Sequence, residues 1–427
     1  MHGHSRDGKA TMSSGTEAMK PSKNPGRGGA PAGIPAGIGN RHSDLARDQA
    51  IRLHRDHLAD GREILYFDDR GSALTANRKA DARTLDPRPA TATARQDPLT
   101  GEWISVAAAR QNRVMLPPAH LDPLAPQSAD NPSEIPDNYD VAVFENRSPS
   151  FGPQSESDEG AFGTDIALER TAFSAGRCEV VCFSPAHDGS LASLGDNRAR
   201  TVIEAWAHRT AELSKIPAVR QVFPFENRGE AIGVTLHHPH GQIYSYPYVT
   251  PHTQRLQASV AQYGASLMGD ILDREQSGPR VLIAGEHWTA FVPFAARWPV
   301  EIHMLPHRDV PDFAHTSLAE RDELALLYPR LLRGVDSLYD TPTPYIGAWH
   351  QAPLTDGEGI RLMAQVTSPR RAADKLKFLA GSEAAMGAWI ADVSPETAAA
   401  ALRDAIDRAD ASAAAHPTDS AAQENPS

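Results

Sequence analysis

The stretch Leu236-His237-His238-Pro239-His240-Gly241-Gln242, continued by Ile243-Tyr244-Ser245-Tyr246-Pro247-Tyr248, decides how the rest of the chain is read. Three histidines fall within four positions around a proline, and a glycine follows the last of them. Pro239 fixes its own φ and biases His238 toward extended geometry. The flanking Gly233-Val234-Thr235-Leu236 and Ile243–Tyr248 runs are rich in β-branched and aromatic residues, which predicts a strand, or the end of one, at the motif. On such a strand His238 and His240 share a face and His237 points the other way.

A neutral imidazole attacks phosphorus well, and the bond made by its second nitrogen sets its tautomer. In a rigid His-Pro-His segment the carbonyl of His238 can hold the Nδ1–H of His240 and leave Nε2 free. Gly241 would let the main chain approach a phosphate closely. Gln242 can donate to a phosphoryl oxygen without titrating. The same local pattern also suits a metal-ligand set or a plain surface cluster.

The chain has 427 residues, room for two or three domains, and 40% hydrophobic content supports a globular core. A net charge of -12 argues against a broad nucleic-acid surface. No apolar run suits a membrane span or a signal-peptide core, so no membrane partner is expected. The only two cysteines, Cys178 and Cys182, exclude a disulfide framework and read as small buried residues on one face of a strand. A cytoplasmic location is expected.

Phe225-Glu226-Asn227-Arg228-Gly229 precedes the motif, and the run from Glu226 to Tyr244 resembles the active-site segment of the galactose-1-phosphate uridylyltransferases, members of the histidine-triad superfamily. That resemblance implies His240 as nucleophile, supported by His238, and Gln242 where the hydrolase branch carries a third histidine. It implies substrate contacts at Asn227, Gly233 and Thr235. Ala107-Ala108-Ala109-Arg110-Gln111-Asn112-Arg113 matches the family's N-terminal signature, whose arginines, here Arg110 and Arg113, reach nucleotide phosphates across a dimer interface. Asn146 matches a nucleotide contact. Lys377, Phe378 and Glu383, in Lys375-Leu376-Lys377-Phe378-Leu379-Ala380-Gly381-Ser382-Glu383, match the segment that holds the sugar phosphate, with Ser382 replacing a frequent tyrosine. The implied substrates are a UDP-hexose and a hexose 1-phosphate, exchanged by a ping-pong reaction through a covalent uridylyl-histidine in a homodimer without an organic cofactor. Two other readings stay open. One is a relative that uses another sugar phosphate or a dinucleoside polyphosphate. The other is a metal-depleted, non-catalytic nucleotide binder.

Many family members carry a Cys-x-x-Cys zinc pair where this chain has Asp122 and Ala125. His187 and His238 match the two remaining ligands. Tight structural zinc takes about four protein ligands, so His187, His238 and Asp122 would hold zinc weakly, and His187 reads as a structural hydrogen-bonding residue. A second family metal site also lacks its usual donors. His350 is present, but Met363, Gln365 and Leu256 occupy the other positions.

Glu179-Val180-Val181-Cys182-Phe183-Ser184-Pro185-Ala186-His187 with its following helix resembles Glu301-Ile302-His303-Met304-Leu305-Pro306-His307 with a later helix, and an aromatic strand follows each. Two such copies imply two similar halves. The expected fold is α+β: two tandem histidine-triad-like halves of antiparallel sheet with helices packed on one side. The expected organisation is a disordered tail over 1–50, an extension over 51–94, a catalytic first half over 95–265, a second half over 266–395, and a terminal helix with a disordered tail over 396–427.

Overall fold

The structure, a computed structural model, describes residues 50–86, 88, 92–112, 116–153 and 168–415. The expected disordered tails lie outside these, apart from the end of a terminal helix. In chain order come β1 (Arg52–His57), β2 (Glu63–Asp68), β3 (Thr93–Gln96), β4 (Trp103–Val106), β5 (Val141–Glu145), β6 (Thr171–Phe173), β7 (Arg177–Cys182), α1 (Asp196–Leu213), β8 (Gln221–Arg228) and β9 (His240–Tyr246). Then α2 (Pro251–Tyr263) and α3 (Leu267–Gln276) lead to β10 (Val281–Ala284), β11 (Trp288–Phe291), β12 (Val300–Pro306), α4 (Leu318–Asp336), β13 (Tyr345–His350) and β14 (Met363–Ser368). The chain closes with β15 (Arg370–Ala372), β16 (Lys375–Leu376) and α5 (Pro395–Ala415). The last helix therefore occupies the first part of the expected terminal segment, as far as Ala415.

The halves join in one eleven-stranded sheet, ordered β1-β2-β5-β7-β9-β8-β13-β14-β12-β11-β10. Strands β3, β4 and β6 form a separate small sheet. The internal repeat is visible in the element order. β7, a 3-10 turn at Leu191–Ser193, α1 and β8 are matched by β12, a turn at Phe313–His315, α4 and β13. The seam is the antiparallel pairing of β8 with β13, where Gly347 lies opposite Glu226 and Tyr345 opposite Arg228.

Strand alternation sorts the side chains into layers. Leu65, Phe67, Val141 and Val143 join the core under α1 and α4, while Ile64, Tyr66, Ala142 and Phe144 enter a second cluster with Leu124 and Tyr139. The main core is shared by both halves: Trp206 of α1 lies 5.8 Å from Trp349 of β13, and Phe313 lies 4.7 Å from Trp349. Helix α4 starts on a capping box in which the Ser317 side chain accepts from the Glu320 N–H, an arrangement worth about 1 kcal/mol. The sequence predicts helices on one side only. Helices α1, α4 and α5 obey this, but α2 and α3 cover the other face of the second half, where Val260, Met268 and Leu272 bury against Phe291, Leu305 and Met363. Their apolar stripes need a partner layer, and the main core is already filled.

Between those two outer layers the central strands leave a half-buried face open. Phe225 lies opposite Gln242 and Phe223 opposite Tyr244, all on this face. Phe223 and Phe225 stack at 5.2 Å, and Tyr244 meets Phe225 edge-on at 5.0 Å.

Candidate active site

His240 is the first residue of β9, and the expected strand through residues 233–239 is absent. Gly229 and Gly233 bracket a 3-10 turn at Glu230–Ile232 with φ of +97° and +82°, a left-handed backbone that a strand cannot carry. The alternation rule therefore lapses before Pro239. His238 and His240 differ in burial: His238 is 1% exposed and His240 half-buried, and both line the same cavity.

The His240 ring is held as the motif requires. Its Nδ1 lies 2.7 Å from the His238 main-chain carbonyl, which can only accept, so Nδ1 carries the proton and Nε2 bears the lone pair. The Pro239 carbonyl takes the Phe183 N–H at 3.0 Å, pinning the kink to the end of β7. Burial lowers the His240 pKa, against the opposing effect of the bond to His238. The ring is thus kept neutral.

Gly241 has a different purpose from the expected approach to phosphate. A Cβ there would meet Phe183 Cζ at 2.8 Å and the Phe225 carbonyl oxygen at 2.9 Å. The glycine is required by the packing of β9 on its inner side. Gln242, two residues on from His240, lies on the open face, and its side-chain amide makes no hydrogen bond among the described residues.

Beneath the kink, Asp122, His187 and His238 converge, their donor atoms all within 4.8 Å of one another. One carboxylate oxygen, Asp122 Oδ2, lies 2.6 Å from His238 Nδ1 and 2.8 Å from His187 Nδ1. His238 Nε2 lies 2.7 Å from the Ser184 carbonyl and 3.0 Å from the Tyr139 hydroxyl, which also bonds the Leu124 carbonyl at 2.7 Å. The Ser184 carbonyl takes the Nε2 proton, which leaves Nδ1 facing the carboxylate at a hydrogen-bond separation of 2.6 Å. Burial pushes the Asp122 carboxyl up, but hydrogen bonds from His238 and His187 outweigh it and hold the pKa at about 2. The donor chemistry suits a divalent ion with three protein ligands.

The cavity beside His240 has a volume of about 640 Å³, within the usual range for small-molecule sites. Of the expected contacts, Asn227 lines it. Gly233 and Thr235 belong to the loop above, where the Thr235 carbonyl takes the Leu116 N–H at 2.8 Å. Arg110 reaches the open face, its Nη2 3.4 Å from the Tyr244 hydroxyl. Asn146 directly follows β5 and accepts the Ser148 N–H at 2.9 Å. Arg113 lies outside the described residues. Lys377 and Phe378 line a separate cavity of about 280 Å³ with Trp298. The Lys377 ammonium is buried on the carbonyls of Arg297 and Ile390 and lies 3.7 Å from Glu383. The fold therefore gathers His240, His238 and Asn227 and sets Lys377, Phe378 and Glu383 apart.

In the second half, the Gln365 amide bridges His350 Nε2, at 2.9 Å, and Glu301 Oε1, at 2.8 Å. His252 lies 4.7 Å from the His350 ring, and burial, with His252 next, takes the His350 pKa down to about 3. The sequence pattern overlooks three residues on the His240 cavity or behind it. Glu226 is buried with its carboxylate 3.0 Å from the Tyr345 hydroxyl, and burial raises its pKa to about 7. Arg370 closes the far wall. Glu226 was within the quoted run, but only the pairing of β8 with β13 gives it a partner. Tyr345 and Arg370 sit in no local motif.

Comparison with known proteins agrees with this arrangement. Residues 84–250 match the family model "Galactose-1-phosphate uridyl transferase, N-terminal domain", and residues 249–416 match its C-terminal domain. The galactose-1-phosphate uridylyltransferase of Streptomyces lividans is 44% identical over 305 residues, covering 70% of this chain and 80% of that protein. The enzyme of the same name from Thermotoga maritima is 33% identical, covering 73% and 97%. A solved uridylyltransferase structure superposes with a TM-score of 0.65 at 30% identity, covering 74% of this chain and 99% of that one. The chain belongs to the galactose-1-phosphate uridylyltransferase family of nucleotidyltransferases.

Proposed function

We propose that the chain exchanges a uridylyl group between hexose 1-phosphates by two displacements at His240. Nε2 attacks the α-phosphorus of UDP-glucose. The N–P bond forms, the P–O bond to the β-phosphate breaks, and glucose 1-phosphate leaves. A phosphate oxygen of galactose 1-phosphate then attacks the same phosphorus, the N–P bond breaks, and UDP-galactose departs with His240 regenerated. The leaving group is a phosphate and needs no proton, so the site's task is positioning and charge stabilisation.

The observation that carries this reading is the 2.7 Å bond from His240 Nδ1 to the His238 carbonyl in a ring that faces a cavity. Gln242 and Asn227, whose side-chain amides make no hydrogen bond among the described residues, would donate to the non-bridging oxygens, with Thr235 and Gly233 above them. Arg110, Arg113 and Asn146 would serve the nucleotide phosphates from the open face. Asp122, His187 and His238 would hold a divalent ion such as zinc, bound more loosely than in a four-ligand site. Bound there, it would fix the His238 ring, and through it the kink that aims His240.

Supporting a homodimer, the segment after Lys377 exposes Phe378, Leu379, Met386 and Ile390. A second copy would cover these side chains and give the Lys377, Phe378 and Glu383 segment a route to a hexose. No helix among the described residues is long and apolar enough to cross a membrane, and both cysteines are free and buried, as a cytoplasmic setting allows. Mixing the chain with UDP-glucose and galactose 1-phosphate tests the function. UDP-galactose and glucose 1-phosphate should appear together, and their absence would refute it.

A further inference from the structure

The cavity that receives the His240 ring is bounded on its far side by Arg370 of β15 and on its seam side by Arg228 of β8. The two guanidinium groups differ in what already occupies them. Arg228 is paired with Asp336 through Nη1 and lies over the Tyr345 ring at 5.6 Å. Arg370 has no carboxylate within 4.0 Å among the described residues. Its Nη1 is tethered to neutral acceptors, the Thr341 hydroxyl at 2.6 Å and the Ala373 carbonyl at 3.0 Å, and the guanidinium lies 6.0 Å from the centre of the Tyr339 ring. Its Nε is buried without any hydrogen-bond partner.

A buried guanidinium donor without an acceptor is rare, and each instance asks what completes it. Guanidinium nitrogens of Arg78, Arg209 and Arg280 are likewise buried and unpartnered, but each of those side chains pairs with a carboxylate; Arg370 is half-buried, has no carboxylate partner among the described residues, and lines a cavity. Forked N–H donors match the oxygens of a phosphate monoester, which carries nearly two negative charges at neutral pH. The tether matters too, because a guanidinium already fixed by Thr341 and Ala373 loses little rotamer freedom when an anion arrives. Three acids share the cavity wall: Glu230 is engaged by His237 at 3.4 Å, Glu226 accepts from the Tyr345 hydroxyl, and neither these nor Asp188 pairs with Arg370 among the described residues.

We propose that Arg370, with Arg228 adding positive charge beside it, binds the phosphate of the hexose 1-phosphate in the His240 cavity. This rests on the two-step transfer proposed above and names the binding residue for its second substrate. In a UDP-hexose the same place would take the β-phosphoryl group, so Arg370 would act on both half-reactions. A nucleoside monophosphate, which lacks that group, would not engage it. Arg370 is a binding residue in this reading and takes no part in the bond changes at phosphorus.

The test is a calorimetric titration of the full chain and of Arg370→Gln with glucose 1-phosphate and, separately, with UMP. Arg370→Gln should weaken glucose 1-phosphate about ten- to a hundredfold, the usual effect of losing a charge-assisted bond. UMP affinity should stay within about twofold, and Arg370→Lys should recover part of the loss. In steady-state exchange, KM for galactose 1-phosphate should rise by a similar factor. Wild-type affinity for glucose 1-phosphate in Arg370→Gln overturns the proposal, as does an equal loss of UMP, which marks general damage. The transfer reading fails separately: if the wild-type chain binds glucose 1-phosphate through Arg370 yet makes no UDP-galactose, the phosphate subsite stands and the two-step transfer falls.

Discussion

The main-chain carbonyl of His238 and Nδ1 of His240 lie 2.7 Å apart, two residues distant in sequence and bridged by Pro239. This contact makes the tautomer of the proposed nucleophile a property of the backbone rather than of a second side chain. His240→Gly should therefore abolish exchange while leaving the fold intact, since the ring is half-buried and holds only that one bond. Incubation with UDP-glucose labelled at the α-phosphate, followed by denaturation, should leave label on the wild-type protein and none on the variant. A variant that still exchanges hexose phosphates would remove His240 from the mechanism.

Asp122 is the sole acid in the cluster with His187 and His238, and it is buried at 1% exposure. Asp122→Asn keeps the shape and removes the charge that both rings face. Breaking a buried pair of this kind typically costs about 3–5 kcal/mol, so urea midpoints should fall accordingly. Elemental analysis of the two purified proteins should show any bound zinc in the wild type to be depleted in the variant. Unchanged stability would mean that the cluster is not a fold-supporting contact.

Glu226 makes stability depend on pH in an unusual direction for a carboxylate. Folded, it titrates at about 7; its ordinary value is 4.5. Between those values the folded chain keeps a proton that the unfolded chain has released. Its contribution is full below about pH 4.5 and is lost as the pH rises through 7, by about 3 kcal/mol in all. Glu226→Gln, which still accepts from Tyr345, should flatten that decline when unfolding is followed from pH 5 to pH 8. An identical slope in the variant would assign the dependence to other groups.

Gly241→Ala should destabilise the protein by about 1–3 kcal/mol, the usual range for overpacking, because its Cβ meets Phe183 and the Phe225 carbonyl. The displaced strand also carries His240, so kcat should fall alongside the melting temperature. Normal stability with lost activity would instead point to the phosphate-approach role read from the sequence.

Much of this was legible in the residues because the decisive features are local. The Pro239 kink, the tautomer bond to His240 and the repeated strand–turn–helix–strand unit each depend on a few neighbouring positions. The burial of His238 was not, since positive φ at Gly229 and Gly233 breaks the strand that alternation assumes. The burial of Lys377 depends on Trp389 and Ile390, whose contact with it is set by the return of the chain after β16. Arg370 was invisible for a related reason: its significance comes from sharing a cavity wall with residues far away in sequence, on β8 and β9.

The seam between β8 and β13 bears on how the molecule comes into being. When Gln221–Arg228 leaves the ribosome, its outward ladder groups have no mate, and Tyr345–His350 is still unmade. For that interval the nascent chain carries a bare rim beside the very strand that bears His240, a rim open to the wrong partner. That rim closes only when the late strand pairs with the early one.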